Sequence, residues 1–288
     1  MASARRPWSF ACVVACSCGA EPPDSTECDE QTEICVEIVD GMAHVPAGPF
    51  WMGCRPGLDS SPVEVDCEGD LLLATPFRQV DLSGYWIDVV EVSHGEFAKC
   101  LAAGACAPPL DDDWVERPRD WPVMLVNWTH AQAYCEWKGK RLPTEAEWEK
   151  AARGIDGRRY PWGDRHPDCD LAVFNISDAE FATGACPEIP GPQPVGSRPA
   201  GASPYGVLDM AGNASEWVAD WYAPGYADRP ARDPLGPSRG TEKVIRGGNY
   251  GSWVASAGGY SLRTSIRKAS SPTSTTVFAD GFRCAKDE

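Results

Sequence analysis

Between Gly139 and Gly154 the chain reads GKRLPTEAEWEKAARG, with Ala146, Trp148, Ala151 and Ala152 set among acids and bases at helical spacing. Thr144 followed by Glu147 is a capping box, in which the hydroxyl takes one orphan helix N–H and the carboxylate takes another. Gly154 can adopt the left-handed conformation that ends a helix, so a helix is predicted from Thr144 to Gly154. Taken alone, the pattern describes a well-capped surface helix. Ser93 with Glu96 makes a second box and predicts a short helix from His94 to about Ala102, and Thr129 with Gln132 makes a third and predicts one over His130 to Lys138. The segment HVPAGPFWMG suggests a strand and a tight turn through Val45, Phe50 and Met52. FRQVDLSGYWIDVVEVS alternates with period two in part and predicts two strands.

Beyond Gly154 the helical periodicity fades into stretches rich in Gly, Pro, Ser, Asp and Trp. Recurring Trp, Tyr and Phe predict short strands and long ordered loops there rather than disorder. Twelve Trp and 28 Gly in 288 residues favour one large core, since big aromatics can fill a fold whose backbone runs mostly in turns. The expectation is a single α+β domain with two principal helices and little regular secondary structure.

A formal charge of −16 argues against nucleic acid as a partner, because a phosphate backbone selects for Lys and Arg. At the N-terminus, Arg5 and Arg6 precede a short apolar run that ends in small residues, the pattern of a secretory signal too short to span a bilayer. Val13, Val14, Ala15 and Cys16 look like a bacterial lipobox, which would make Cys16 the lipidated first residue. Residues 1–15 are then a signal peptide, 16–42 an acidic tether and 43–288 the folded body. The expected location is the bacterial cell envelope, held to the membrane only by the lipid anchor, or the secreted fraction.

Thirteen cysteines suit an oxidising compartment. Setting aside Cys12, Cys16 and Cys18 leaves ten. Neighbour pairing gives Cys28 with Cys35, Cys54 with Cys67, Cys100 with Cys106 and Cys169 with Cys186, although spacing alone leaves other connectivities open. Cys135 and Cys284 remain over. No C-x-x-C pair supports a zinc site.

The helix code shares the chain with MG (Met52, Gly53), VEVSHGEF (Val90 to Phe97), YPWG (Tyr160 to Gly163), YGVLDMAGNASEWVADWY (Tyr205 to Tyr222), KVIRGGNY (Lys243 to Tyr250) and GFRCA (Gly281 to Ala285). In this order and spacing they resemble the formylglycine-generating enzyme, or sulfatase-modifying factor, family over roughly Ala43 to Lys286. The resemblance implies that family's fold, distantly related to C-type lectins, and a bridge between Cys135 and Cys284. It also implies a calcium site at Asp209, Gly212, Ala214 and Glu216, whose carboxylates and turned carbonyls are the hard oxygens that Ca²⁺ prefers. A second calcium site is half visible, at Asn175 and Ile176.

In catalytic members, the resemblance further implies, two cysteines five apart follow the Gly pair and bind Cu(I) to oxidise a substrate cysteine to formylglycine. Counted from Gly247 and Gly248, those positions are Ser252 and Ala257. A hydroxyl is too hard and too weakly acidic to replace a Cu(I) thiolate, and alanine has no donor. Copper and the oxidase chemistry are therefore expected to be absent, leaving a pseudoenzyme. Asn249, Tyr250, Ser252, Trp253 and Arg263 are candidates for a recognition pocket, since aromatic surfaces with a few fixed polar groups bind small ligands or extended peptides. The expected function is binding of a ligand, peptide or protein partner. The alternatives are a divergent oxidase and a passive cell-envelope structural protein.

Overall fold

The computed structural model describes residues 27–29, 34–57, 74–110, 113–175, 191–252, 260–275 and 279–288. Among them, helix α1 (His94–Ala102) starts at Ser93, whose hydroxyl accepts the Glu96 N–H at 3.3 Å, as that spacing predicts. Helix α2 (Trp128–Trp137) begins two residues earlier than expected and is capped by Asn127. Asn127 Oδ1 accepts from His130 N and His130 Nδ1 accepts from Asn127 N, both at 3.2 Å. Asparagine is a stronger N-cap than threonine, and the imidazole takes the part assigned to Gln132. Burial lowers the His130 pKa, which keeps the ring neutral and able to accept. Helix α3 (Glu145–Arg153) carries the full Thr144–Glu147 box and stops at Gly154 with φ 68°. All three expected helices are present, and α1, expected to be the short one, is as long as α3.

The helices pack on short strands. Strands β1 (Glu27–Asp29) and β2 (Ile34–Val36) form an antiparallel pair that sets Cys28 opposite Cys35. Strands β3 (Ile38–Val39), β4 (Met42–Val45), β7 (Tyr85–Asp88) and β12 (Ala285–Asp287) form an antiparallel sheet in the order β12-β7-β4-β3. Strands β5 (Gly48–Met52) and β6 (Arg78–Leu82) form a hairpin-like pair. A further sheet runs β10-β9-β8-β11, from β8 (Ser215–Trp221), β9 (Lys243–Arg246), β10 (Arg267–Ser270) and β11 (Asp280–Gly281). The tether expected over 16–42 ends sooner, because Ile38, Val39 and Met42 already belong to the β12-β7-β4-β3 sheet.

Strand β8 divides the core. Trp217 and Ile245 face the cluster of Phe97, Val126, Tyr134 and Phe282 beside α1 and α2. Val218 and Val244 face the cluster of Phe50, Met52, Ile87 and Trp148 beside α3. Neighbouring strand residues point to opposite faces, so burial on both sides explains why SEWV and KVIR show no alternation of polar and apolar positions.

Helix α3 is not on the surface: all nine residues are buried, charged ones included. Glu145 accepts from Arg246 and Arg267 and pairs with Arg229 at 3.0 Å, while Glu149 joins Arg153 at 2.8 Å and Arg246 at 2.5 Å. Burial pushes the Glu145 pKa up, but the guanidiniums of Arg267, Arg246 and Arg229 outweigh it and hold the carboxyl below its ordinary range. Buried charges persist only when paired this completely.

Two disulfides join Cys100 to Cys106 and Cys135 to Cys284. Cys54 and Cys169 are also disulfide-bonded, and the partners expected for them, Cys67 and Cys186, lie outside the described residues. So do Cys16 and the signal segment. Among the described residues no helix is long and apolar enough to cross a membrane.

Candidate functional site

Three loops meet at the end of the sheet where β8 begins and β9 ends. The DMAGNAS loop enters β8, the GGNYGS turn leaves β9, and a segment through Val173 and Asn175 lies across both. Gly212 N donates to Gly247 O at 2.9 Å, Tyr250 N to Asn213 O at 2.9 Å, Asn213 N to Val173 O at 2.8 Å and Asn175 N to Ser252 O at 3.2 Å. Contact this close explains the glycines. A Cβ on Gly212 would stand 2.3 Å from Val173 O and one on Gly248 2.5 Å from Ser261 O, and both residues have positive φ. Asn175, the 209–216 stretch and Ser252, flagged separately in the sequence, are thus brought together.

Ser252 is 7% exposed. Its hydroxyl oxygen accepts the Asn249 N–H at 3.0 Å, and its own N–H donates to Asn249 O at 2.8 Å. Asn249 Nδ2 donates to Ser215 Oγ at 2.9 Å, fixing the turn to the first residue of β8. Tyr250 is half-buried against Met124, Ala214 and Ala279. Arg263 is 1% exposed, which removes it from the solvent-facing pocket expected in the sequence, and Trp253 and Ala257 lie outside the described residues. Cys54, Cys100, Cys106, Cys135, Cys169 and Cys284 are disulfide-bonded, and a serine hydroxyl at 252 does not fit Cu(I).

The expected calcium ligands occupy a buried acidic pocket. Asp209 holds φ 57° and accepts from Gly196 N at 2.5 Å. Glu216 is 0% exposed and takes a fork from Arg283, Nε to Oε2 and Nη2 to Oε1 at 2.7 Å each, with Trp148 Nε1 adding 2.8 Å to Oε2. That fork makes Glu216 the counter-ion of Arg283, whose pKa is raised although burial alone would lower it. Glu91, quoted in VEVSHGEF but given no role in the sequence, is the third acid. It is 2% exposed, Oε1 accepts from Asn213 Nδ2 at 3.0 Å, and Oε2 accepts no hydrogen bond. Burial first and Asp209 second push its pKa well up. An acid inside the apolar run Val89 to Val92 was the signal that could have marked it. Among the described residues no three His, Cys, Asp or Glu side chains converge to hold a metal ion. Glu91 and Asp209 nevertheless supply hard oxygens of the type calcium takes. Ile176, of the second expected calcium site, lies outside the described residues.

Comparison with known proteins agrees with this architecture. The model of the sulfatase-modifying factor enzyme 1-like domain matches residues 28–288. The formylglycine-generating enzyme of Thermomonospora curvata is 34% identical over 302 residues, covering 87% of this chain and 95% of that one. A Bos taurus protein named inactive C-alpha-formylglycine-generating enzyme 2 is 37% identical over 172 residues, covering 58% of this chain and 50% of its own. Among solved structures, PvdO from Pseudomonas aeruginosa shares the fold at TM-score 0.67 and 24% identity, over 93% of this chain and 100% of that one. With a family model spanning nearly the whole body and a relative of this identity aligned end to end, the chain belongs to the sulfatase-modifying factor, or formylglycine-generating enzyme, domain family.

Proposed function

We propose that this member of the family is an exported binding module that does not run copper-thiolate oxidation. The carrying observation is Ser252, a hydroxyl tied to the Asn249 N–H at 3.0 Å where catalytic members are expected to place a thiolate. A hard oxygen does not hold Cu(I). A relative whose name states that it is inactive lends the reading support from within the family. The disulfides support export, since reduced compartments keep thiols free.

Copper loading followed by metal analysis of the purified chain tests the proposal. The expected result is no stoichiometric Cu(I) and no formylglycine in a cysteine-containing peptide, with Cu(I) binding gained by the double variant Ser252→Cys, Ala257→Cys. Stoichiometric Cu(I) on the unaltered protein together with peptide oxidation would overturn it. Lipid anchoring is tested separately: Cys16→Ser is expected to move the protein from the membrane fraction to the soluble one.

Calcium belongs to the proposal as a structural ion. Glu91 and Asp209 would hold it, with backbone carbonyls and water completing the six or more oxygens it requires. Its part would be to place a counter-charge beside Glu91 and Asp209, since the Arg283 fork is taken by Glu216. A melting temperature that rises with calcium and falls with chelator is expected, and an unchanged one removes calcium from the account.

A further inference from the structure

Strand β8 borders a separate cleft near its other end. Ser215 opens the strand beside Asn249, whereas Ala219, four residues or about 13 Å further on, lines a cleft of about 700 Å³ that the family site does not reach. That volume lies within the range of pockets that enclose small organic ligands, roughly 300–1,000 Å³.

Its floor is apolar, made of Leu82, Trp128, Leu142, Ala219 and Leu235. Leu235 is 61% exposed and adds its apolar surface to that of Leu82, Leu142 and Trp128 along the cleft. Trp128 is held in place by its Nε1 donating to Val218 O at 2.8 Å, with the Lys243 ammonium 3.9 Å from the ring centroid. Lys243 also lies 4.0 Å from the Trp221 ring and donates to Ala219 O at 2.7 Å, so its charge is spent inside the protein.

The lining is mostly acidic. Glu136, Glu147, Asp233, Asp287 and Glu288 line the cleft with one cation, Arg141, while Arg232, 3.7 Å from Asp233, and His44, 3.2 Å from Glu288, partner two of the acids from outside the lining. Arg141 is itself committed, to both Glu147 oxygens at 2.7 Å and to Asp287 Oδ1 at 2.6 and 2.8 Å. Among the described residues no three of these acids converge to hold a metal ion. A hard divalent ion therefore has no cage here, and an anion meets net repulsion.

We infer that this cleft binds a small organic amine, an apolar body seated on Leu235, Leu142 and Trp128 with its cationic group at the Glu136–Asp287 rim. Exposed ion pairs contribute little to affinity, so apolar burial supplies most of it and the rim selects the charge. The inference is independent of the copper reading, because none of these residues contacts the 247–252 turn through any bond described above.

Calorimetry of the full chain with tryptamine, its anionic counterpart indole-3-propionate and the small amine ethanolamine tests it. Tryptamine is expected to bind saturably, about tenfold or more tighter than either comparison. Leu235→Arg, at an exposed position where folding is unaffected, is expected to weaken tryptamine about tenfold, and Glu136→Gln with Asp287→Asn to weaken it severalfold, melting curves confirming that each variant is folded. No saturable heat at millimolar tryptamine, equal affinity for the anionic probe, or an unchanged affinity in a folded Leu235→Arg variant would each overturn the assignment.

Discussion

Arg283 spends its whole guanidinium inside the protein. Beyond the Glu216 fork it donates to Asp88 O at 3.0 Å, Val89 O at 3.1 Å and Leu208 O at 2.8 Å, tying the site loop to β7. Arg283→Met is expected to cost about 3–5 kcal/mol in denaturant unfolding, because it strands Glu216 as an uncompensated buried charge. Arg283→Lys should fail as well, since an ammonium cannot supply a planar fork. Asp280 offers a pH test. Burial, opposed by Lys268, raises its pKa from 3.8 to about 6. A group with a raised folded pKa contributes stability below its unfolded value that is lost as pH rises through the folded one. The stability of Asp280→Asn relative to the unaltered chain is therefore expected to grow between pH 4 and 6 and level off above, by at most about 3 kcal/mol. A flat difference across that window would exclude the shift.

At the scale of elements, α3 shows how a correct local reading can miss its context. The Thr144–Glu147 box and the Gly154 stop were legible because capping chemistry acts within four residues. That the helix is buried was not legible. Glu145, Glu149, Lys150 and Arg153 read as a solvated face until Arg229, Arg246 and Arg267 reach the two glutamates from 84 to 122 residues away in the chain. Glu149 also accepts from Gly53 N at 2.6 Å, so the MG motif is part of the same network. Thr144→Ala is expected to cost about 1 kcal/mol, the usual loss of an N-cap, measurable as a lower denaturation midpoint. The start of α2 differs for another reason: Asn127 and His130 satisfy the same orphan donors as Thr129 and Gln132 would, and the stronger cap, asparagine, takes the position.

For the whole molecule, the C-terminal strand is fastened to earlier parts of the chain. Strand β12 pairs with β7, Arg141 and Ala285 exchange backbone hydrogen bonds, and Cys135–Cys284 closes a separation of 149 residues, against 6 for Cys100–Cys106. Loop-closure entropy grows with the logarithm of length, giving roughly 5 kcal/mol for the long bridge and roughly 2 kcal/mol for the short one. Replacing Cys135 and Cys284 by Ala is expected to lower stability by about 3 kcal/mol more than replacing Cys100 and Cys106. Equal losses would mean that the unfolded chain is not the state the bridges restrain. This bracing lets a molecule with short strands hold loops such as 209–214 and 247–252 in fixed contact.

The sequence by itself determined what is local or counted: three helix starts or near-starts, the glycine stop of α3, an even set of cysteines for the body, and a serine at 252 where the family resemblance implies a thiol. Side-chain chemistry and capping need only nearby residues, so these survive without coordinates. Only the tertiary structure decided where charge is buried and where space is left. It made Glu216 a partner of Arg283, brought Glu91 to Asp209, enclosed Arg263, and opened the acidic, apolar-floored cleft at the far end of β8 from residues between Leu82 and Glu288. Those outcomes depend on which distant segments share a low-dielectric interior, and no spacing along the chain encodes that distance.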